Sequence, residues 1–201
     1  MILAKKNTGK YKNKSRRFKI AAKKTIQTFT GTIQEISNMK DLLSQLAKYN
    51  LWANQRILQT ILALPEEKQR QQLPSSFNSL YATLLHMWNA ESIWWQRMKL
   101  HERIVAPTEF FKGSIQDLSN GLLQQNEQWI DWVNNATEAA LDHVFQYQNS
   151  KREQFKQPTY QMLLHVFNHG TYHRGQLITM LHQLGIEKLP ATDFIVWSRG
   201  K

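Results

Sequence analysis

Apolar positions recur three and four residues apart over four long stretches of this chain, the spacing of a single helix face. Leu43, Leu46, Ala53, Ile57, Ile61 and Leu64 predict a first helix from Asp41 to about Leu64. It stops at Leu64-Pro65, because the residue before a proline is pushed out of the α region. Leu80, Leu84, Met87, Trp94, Trp95 and Met98 predict a second helix from about Asn78 to Leu100. Ser114 is placed to cap a third, from Ile115 to Asn135, faced by Ile115, Leu118, Leu122, Trp129, Trp132 and Val133. The fourth opens at Gln157-Pro158-Thr159, carries Leu163, Leu164, Phe167, Leu177, Ile178, Leu181 and Leu184, and stops at Gly185. Before it the period drops to two. Val144–Gln148 and Lys151–Phe155, joined at Asn149-Ser150, read as a short hairpin. Lys188–Phe194 reads as extended, with Ile195-Val196-Trp197 placed to lie over the helices. The pattern predicts an all-α four-helix bundle with a short β-hairpin before the last helix.

Length and composition support that picture. The 201 residues suit one domain, and seven Trp, nine Phe and six Tyr supply large core pieces. The lack of cysteine excludes disulfides, thiolate metal sites and a cysteine nucleophile. No apolar run is long enough to cross a membrane, and no secretory signal opens the chain, so a cytoplasmic protein with no membrane partner is expected. The net charge of +11 is unevenly spread: residues 1–40 hold eleven Lys/Arg and one acid, Glu35. The expected division is therefore a flexible basic extension over 1–38 and a bundle domain over 39–201. The extension has three readings: a solvated arm, an arm for nucleic acid or another anionic surface, or a segment outside the native product, since Met39-Lys40-Asp41 has the form of a start directly before a helix. Nucleic acid is expected as a partner only through this arm.

Candidate chemistry lies on the fourth helix, in His165–Gln176, which reads H-V-F-N-H-G-T-Y-H-R-G-Q. His169 and His173 are four apart and share a helix face, so two imidazoles can meet at one point. His165 shares that face and could replace one of them. On the second helix, His86 sits between Ala82 and Ala90, small residues that leave room beside the imidazole. One histidine from one helix and two from another would make a three-histidine site with an open position, the pattern of catalytic zinc. Asn50, Asn54, Asn89 and Glu91 are candidate supports for the ligands. Gly170 and Gly175, costly within a helix, point to close approach of a helix or ligand. The third helix carries no histidine and reads as scaffold or partner surface.

Four blocks together resemble the DinB/YfiT-like family, the damage-inducible four-helix bundle proteins and not the DNA polymerase that shares the name. They are Tyr49-Asn50-Leu51-Trp52-Ala53-Asn54, Leu84-Leu85-His86-Met87-Trp88-Asn89-Ala90-Glu91, His169-Gly170-Thr171-Tyr172-His173-Arg174-Gly175-Gln176 and Pro190-Ala191-Thr192-Asp193. The resemblance covers residues 39–201. It implies a divalent metal ion (zinc, nickel, manganese or iron) held by His86, His169 and His173, and a homodimer. It further implies, for some relatives, transferase or isomerase chemistry with a low-molecular-weight thiol such as bacillithiol or mycothiol. The expectation is a metal-dependent thiol S-transferase, with Arg174 either holding an anionic group of the thiol or making a structural ion pair. The alternatives are a metal-dependent hydrolase, for which Glu91 is the acid nearest His86 in sequence, and a non-enzymatic metal-binding stress-response protein.

Overall fold

The computed structural model describes residues 39–149 and 151–200. The expected basic extension and Ser150 lie outside the described residues. Helix α1 spans residues 39–62, two residues short of the expected end at Leu64. A five-residue helix, α2 (Glu66–Arg70), follows Pro65; none of its residues is apolar, so no period marks it in the sequence. Helix α3 (Leu80–Met98) is capped by Ser79, whose Oγ accepts the Ala82 N–H at 3.1 Å. Helix α4 (Ile115–Asn135) starts at the expected Ser114. Ser114 Oγ accepts from the Asp117 N–H while an Asp117 carboxylate oxygen accepts from the Ser114 N–H, a reciprocal pair that satisfies two free donors at the helix end. A further short helix, α5 (Glu138–Asp142), leads into the hairpin.

Strands β1 (Val144–Gln148) and β2 (Gln154–Pro158) are antiparallel, with Val144 opposite Pro158 and Gln148 opposite Gln154. The second strand lies three residues later than the alternation in the sequence suggested. Asn149 is the cause: its Oδ1 accepts from the Lys151 and Glu153 N–H groups, which holds Lys151 to Glu153 out of the strand. Arg152 between them takes a positive φ of 63°. The shift carries β2 directly into helix α6 (Thr159–Gln183), anchored where the Thr159 N–H and hydroxyl both donate to the His143 carbonyl. Gly185, at φ 80°, ends α6 as its position predicted. The expected extended segment from Lys188 carries no helix up to Asp193, and the last element, α7 (Phe194–Arg199), is a short helix that the sequence pattern did not assign. Phe194 and Trp197 pack their rings on Tyr49 of α1, and the Tyr49 hydroxyl donates to the Thr192 carbonyl at 2.7 Å.

The core joins α1, α3, α4 and α6. Ile57, Leu58, Ile61, Leu80, Leu84, Met87, Leu118, Leu122, Leu177 and Leu181 form one buried cluster, and α3 packs against both α4 and α6. This places the histidine of α3 beside those of α6. The expected four-helix bundle with its hairpin is the fold observed.

Candidate metal centre

His86 on α3 and His169 and His173 on α6 converge. His86 Nε2 lies 3.2 Å from His169 Nε2, and His173 Nε2 lies 3.0 Å from the same atom. The three ligand atoms all fall within 4.8 Å of one another. Three nitrogens at about 2.0–2.1 Å from one tetrahedral ion stand about 3.3 Å apart, so the cluster has the dimensions of a three-histidine site. No carboxylate joins this group among the described residues.

His173 has a hydrogen-bond partner outside the cluster. Gln176, one turn along α6, donates through Nε2 to Ser76 Oγ and to the Tyr172 hydroxyl. That orientation turns its Oε1 to His173 Nδ1, 2.7 Å away. With the Gln176 oxygen at His173 Nδ1, a proton on Nδ1 leaves the Nε2 lone pair facing the other two rings, the usual arrangement behind a metal-binding histidine. Phe77, in the loop before α3, stacks on His86 with 3.9 Å between ring centres and meets His173 edge-on. Burial beneath such groups favours neutral imidazoles. It pulls His86 down to about 4, with His173 adding to the shift, and His169 down to about 3, with His173, His86 and His165 adding. Burial lowers His173 as well, against the opposing bond to Gln176. Neutral nitrogens are the form a metal ion needs.

The other residues singled out in the sequence separate from the cluster. His165 turns its ring to the edge of Trp94, 5.3 Å between centres, and tilts towards His169 without joining the three. Asn89 holds the loop at Thr108, to which its side chain both donates and accepts. Asn50, Asn54 and Glu91 face the interior, where they meet Arg174 and a residue of the third long helix, Asn126. Arg174 is buried in that network; its guanidinium binds Asn50, Asn54 and Thr171. Gly170 is needed there, since a Cβ would stand 2.7 Å from Asn50 Oδ1, whereas a Cβ at Gly175 would meet nothing within 4 Å. Two contributors had no place among the sequence candidates. Gln176 was detectable as the i+3 neighbour of His173. Phe77 belongs to a loop whose path no periodicity predicts.

Known proteins resemble this chain in sequence and in fold. The sequence model of the DinB family matches residues 38–198. The protein DinB of Bacillus subtilis (strain 168) is 31% identical over 165 residues, spanning 78% of this chain and 93% of that protein. Two solved structures share the fold. A DinB-like protein from Bacillus cereus ATCC 10987 has a TM-score of 0.54 at 16% identity, over 69% of this chain and 89% of its own. A DinB-like protein, YjoA, from Bacillus subtilis has a TM-score of 0.55 at 14% identity, over 74% of this chain and 98% of its own. With the match running through all four long helices and both histidine-bearing segments, the chain belongs to the DinB family.

Proposed function

We propose that His86, His169 and His173 hold one divalent metal ion, and that the protein is a metal-dependent enzyme acting with a low-molecular-weight thiol, a thiol S-transferase. The observation that carries the metal reading is the convergence of three Nε2 atoms from two helices, with His173 Nδ1 bonded to Gln176. A divalent ion held by three imidazoles keeps an open position, where it lowers the pKa of a bound thiol or water. The chain has no thiol of its own, which suits an external one. Gln176 orients His173, and Phe77 shields the His86 ring from water.

The hydrolase alternative requires a general base, and the acid weighed for that role does not serve it. Glu91 is buried, with its two oxygens taken by Asn50 and Asn126. Self-association belongs to the same reading. Leu42 is exposed on α1, seven residues before Tyr49, and Phe194, Ile195 and Val196 are exposed on α7, which packs on Tyr49. Together they supply apolar surface for a second copy, and sedimentation equilibrium should show a dimer. The site of action is the cytoplasm, in keeping with a chain in which no described helix is long and apolar enough to cross a membrane.

The test is the metal content of untagged protein by elemental mass spectrometry, beside His86→Ala and His169→Ala. About one ion per chain, absent from both variants, is the expected result. No uptake after incubation with Zn²⁺, Ni²⁺, Mn²⁺ or Fe²⁺ would overturn the metal reading and both enzymatic ones. A metal-loaded protein that fails to join bacillithiol or mycothiol to any electrophile would leave the non-enzymatic metal-binding alternative.

A further inference from the structure

Behind the histidines, five buried polar side chains from all four long helices close a hydrogen-bonded circuit. Arg174 Nη1 on α6 donates to Asn50 Oδ1 at 2.6 Å and to Asn54 Oδ1 at 3.0 Å, both on α1. Asn50 Nδ2 passes on to one oxygen of Glu91 on α3 at 3.1 Å. Asn54 Nδ2 donates to Asn126 Oδ1 on α4 at 2.8 Å, and Asn126 Nδ2 donates to the other Glu91 oxygen at 2.6 Å. None of the five is more than 2% exposed. Every bond runs from the arginine towards the carboxylate. Arg174 is the one member that only donates, Glu91, ionised above about pH 7, the one that only accepts, and each asparagine takes a bond on its oxygen and gives one from its nitrogen.

We propose that this circuit is a positioning device for the metal ligands, fixing the register of α3 and α6 so that His86 meets His169 and His173. The inference rests on the metal reading above. Apolar packing between helices is non-directional and tolerates small slips, whereas hydrogen bonds of 2.6–3.1 Å do not. The circuit grips the two ligand helices close to the ligands. Arg174 follows His173 directly, Gly170 follows His169 and leaves the space that Asn50 Oδ1 fills, and Glu91 lies on α3 with His86.

The directionality gives a distinctive test. In Glu91→Gln the circuit has a member that only donates and none that only accepts. However the amides flip, one donor must then face another donor. Adding Asn126→Asp restores an acceptor one place along. The introduced glutamine amide would accept from Asn50 and donate to the introduced carboxylate, which also accepts from Asn54. Zn²⁺ affinity is measured by competition with a chelating dye, and the histidine ring nitrogens of the metal-free protein are followed by ¹⁵N NMR. E91Q should weaken Zn²⁺ binding about tenfold or more, the usual effect of losing an outer support. E91Q/N126D should return to within about twofold of the unaltered protein. The ring nitrogen shifts should move in E91Q and return in the double variant. Ser114→Ala, which removes the α4 cap far from the circuit, should lower stability with no change in affinity. If E91Q does not fold, the double variant decides: folded with restored affinity supports the proposal, and unfolded or as weak as about tenfold down overturns it. Stability lost in E91Q with affinity and ring shifts unmoved would also overturn it, leaving the circuit a stabiliser only. If the unaltered protein takes up none of Zn²⁺, Ni²⁺, Mn²⁺ and Fe²⁺, the metal reading fails, while the ring shifts still decide whether the circuit positions the histidines.

Discussion

At the scale of the residue, the centre depends on groups that touch the histidines more than on the histidine spacing. Gln176 holds the His173 ring at Nδ1 while its amide nitrogen reaches Ser76 and Tyr172. Gln176→Ala should weaken Zn²⁺ binding about tenfold to a hundredfold while leaving the fold intact, as read by isothermal titration and circular dichroism. Unchanged affinity would mean that His173 needs no such support. His165 offers the opposite prediction. Its ring rests on Trp94 and stays out of the cluster, so His165→Ala should retain one metal ion per chain. Loss of the ion in that variant would redraw the ligand set.

At the scale of the element, α6 shows how one helix serves packing and chemistry on different faces. Leu177 and Leu181 enter the core, His169 and His173 meet α3, and Gly170 admits α1. The two glycines of this helix should behave oppositely. Gly170→Ala drives a methyl to 2.7 Å from Asn50 Oδ1, and such overpacking costs about 1–3 kcal/mol, which outweighs the helix-propensity gain of about 1 kcal/mol. Gly175→Ala meets open space and should stabilise by up to about 1 kcal/mol. Urea denaturation of the two variants checks both signs, and equal effects would show that helix propensity alone governs this stretch.

At the scale of the whole molecule, Glu91 and its partners make stability depend on pH in a particular direction. Burial pushes the Glu91 carboxyl from 4.5 up to about 7, against the downward pull of Asn50, Asn126, Arg174 and the Trp129 indole, which is near without reaching hydrogen-bond geometry. Between those values the folded chain holds a proton that the unfolded chain has lost. The contribution is therefore complete below about 4.5 and is lost as pH rises through about 7. Unfolding free energy measured in urea across this range should carry a falling component that is absent from E91Q, which has no carboxyl in the circuit to titrate. A carboxyl already ionised at pH 5 in the folded protein, seen by ¹³C NMR, would remove it. Metal loading acts on the same equilibrium from the other side: an ion bound only to the folded chain should stabilise it by about 2.7 kcal/mol at a free concentration one hundred times its Kd.

The sequence by itself determined the four long helices, the Ser114 and Gly185 boundaries, the bundle and the three histidines, because helical periodicity, capping and i, i+4 spacing are local and are written in neighbouring residues. Residues whose role lies across the bundle were out of its reach. Asn126 sat on a helix that read as scaffold or partner surface, Arg174 read as either an anion holder or a structural partner, and Glu91 as a ligand support or a hydrolase base, whereas all three are buried in the interior circuit. Phe77 reaches His86 only through the path of a loop. The hairpin slipped because a side-chain amide, Asn149, outweighed the alternation of the strand. The tertiary structure decided which polar groups face one another, since a hydrogen bond between helices depends on their register and rotation, and apolar periodicity gives the buried face without either.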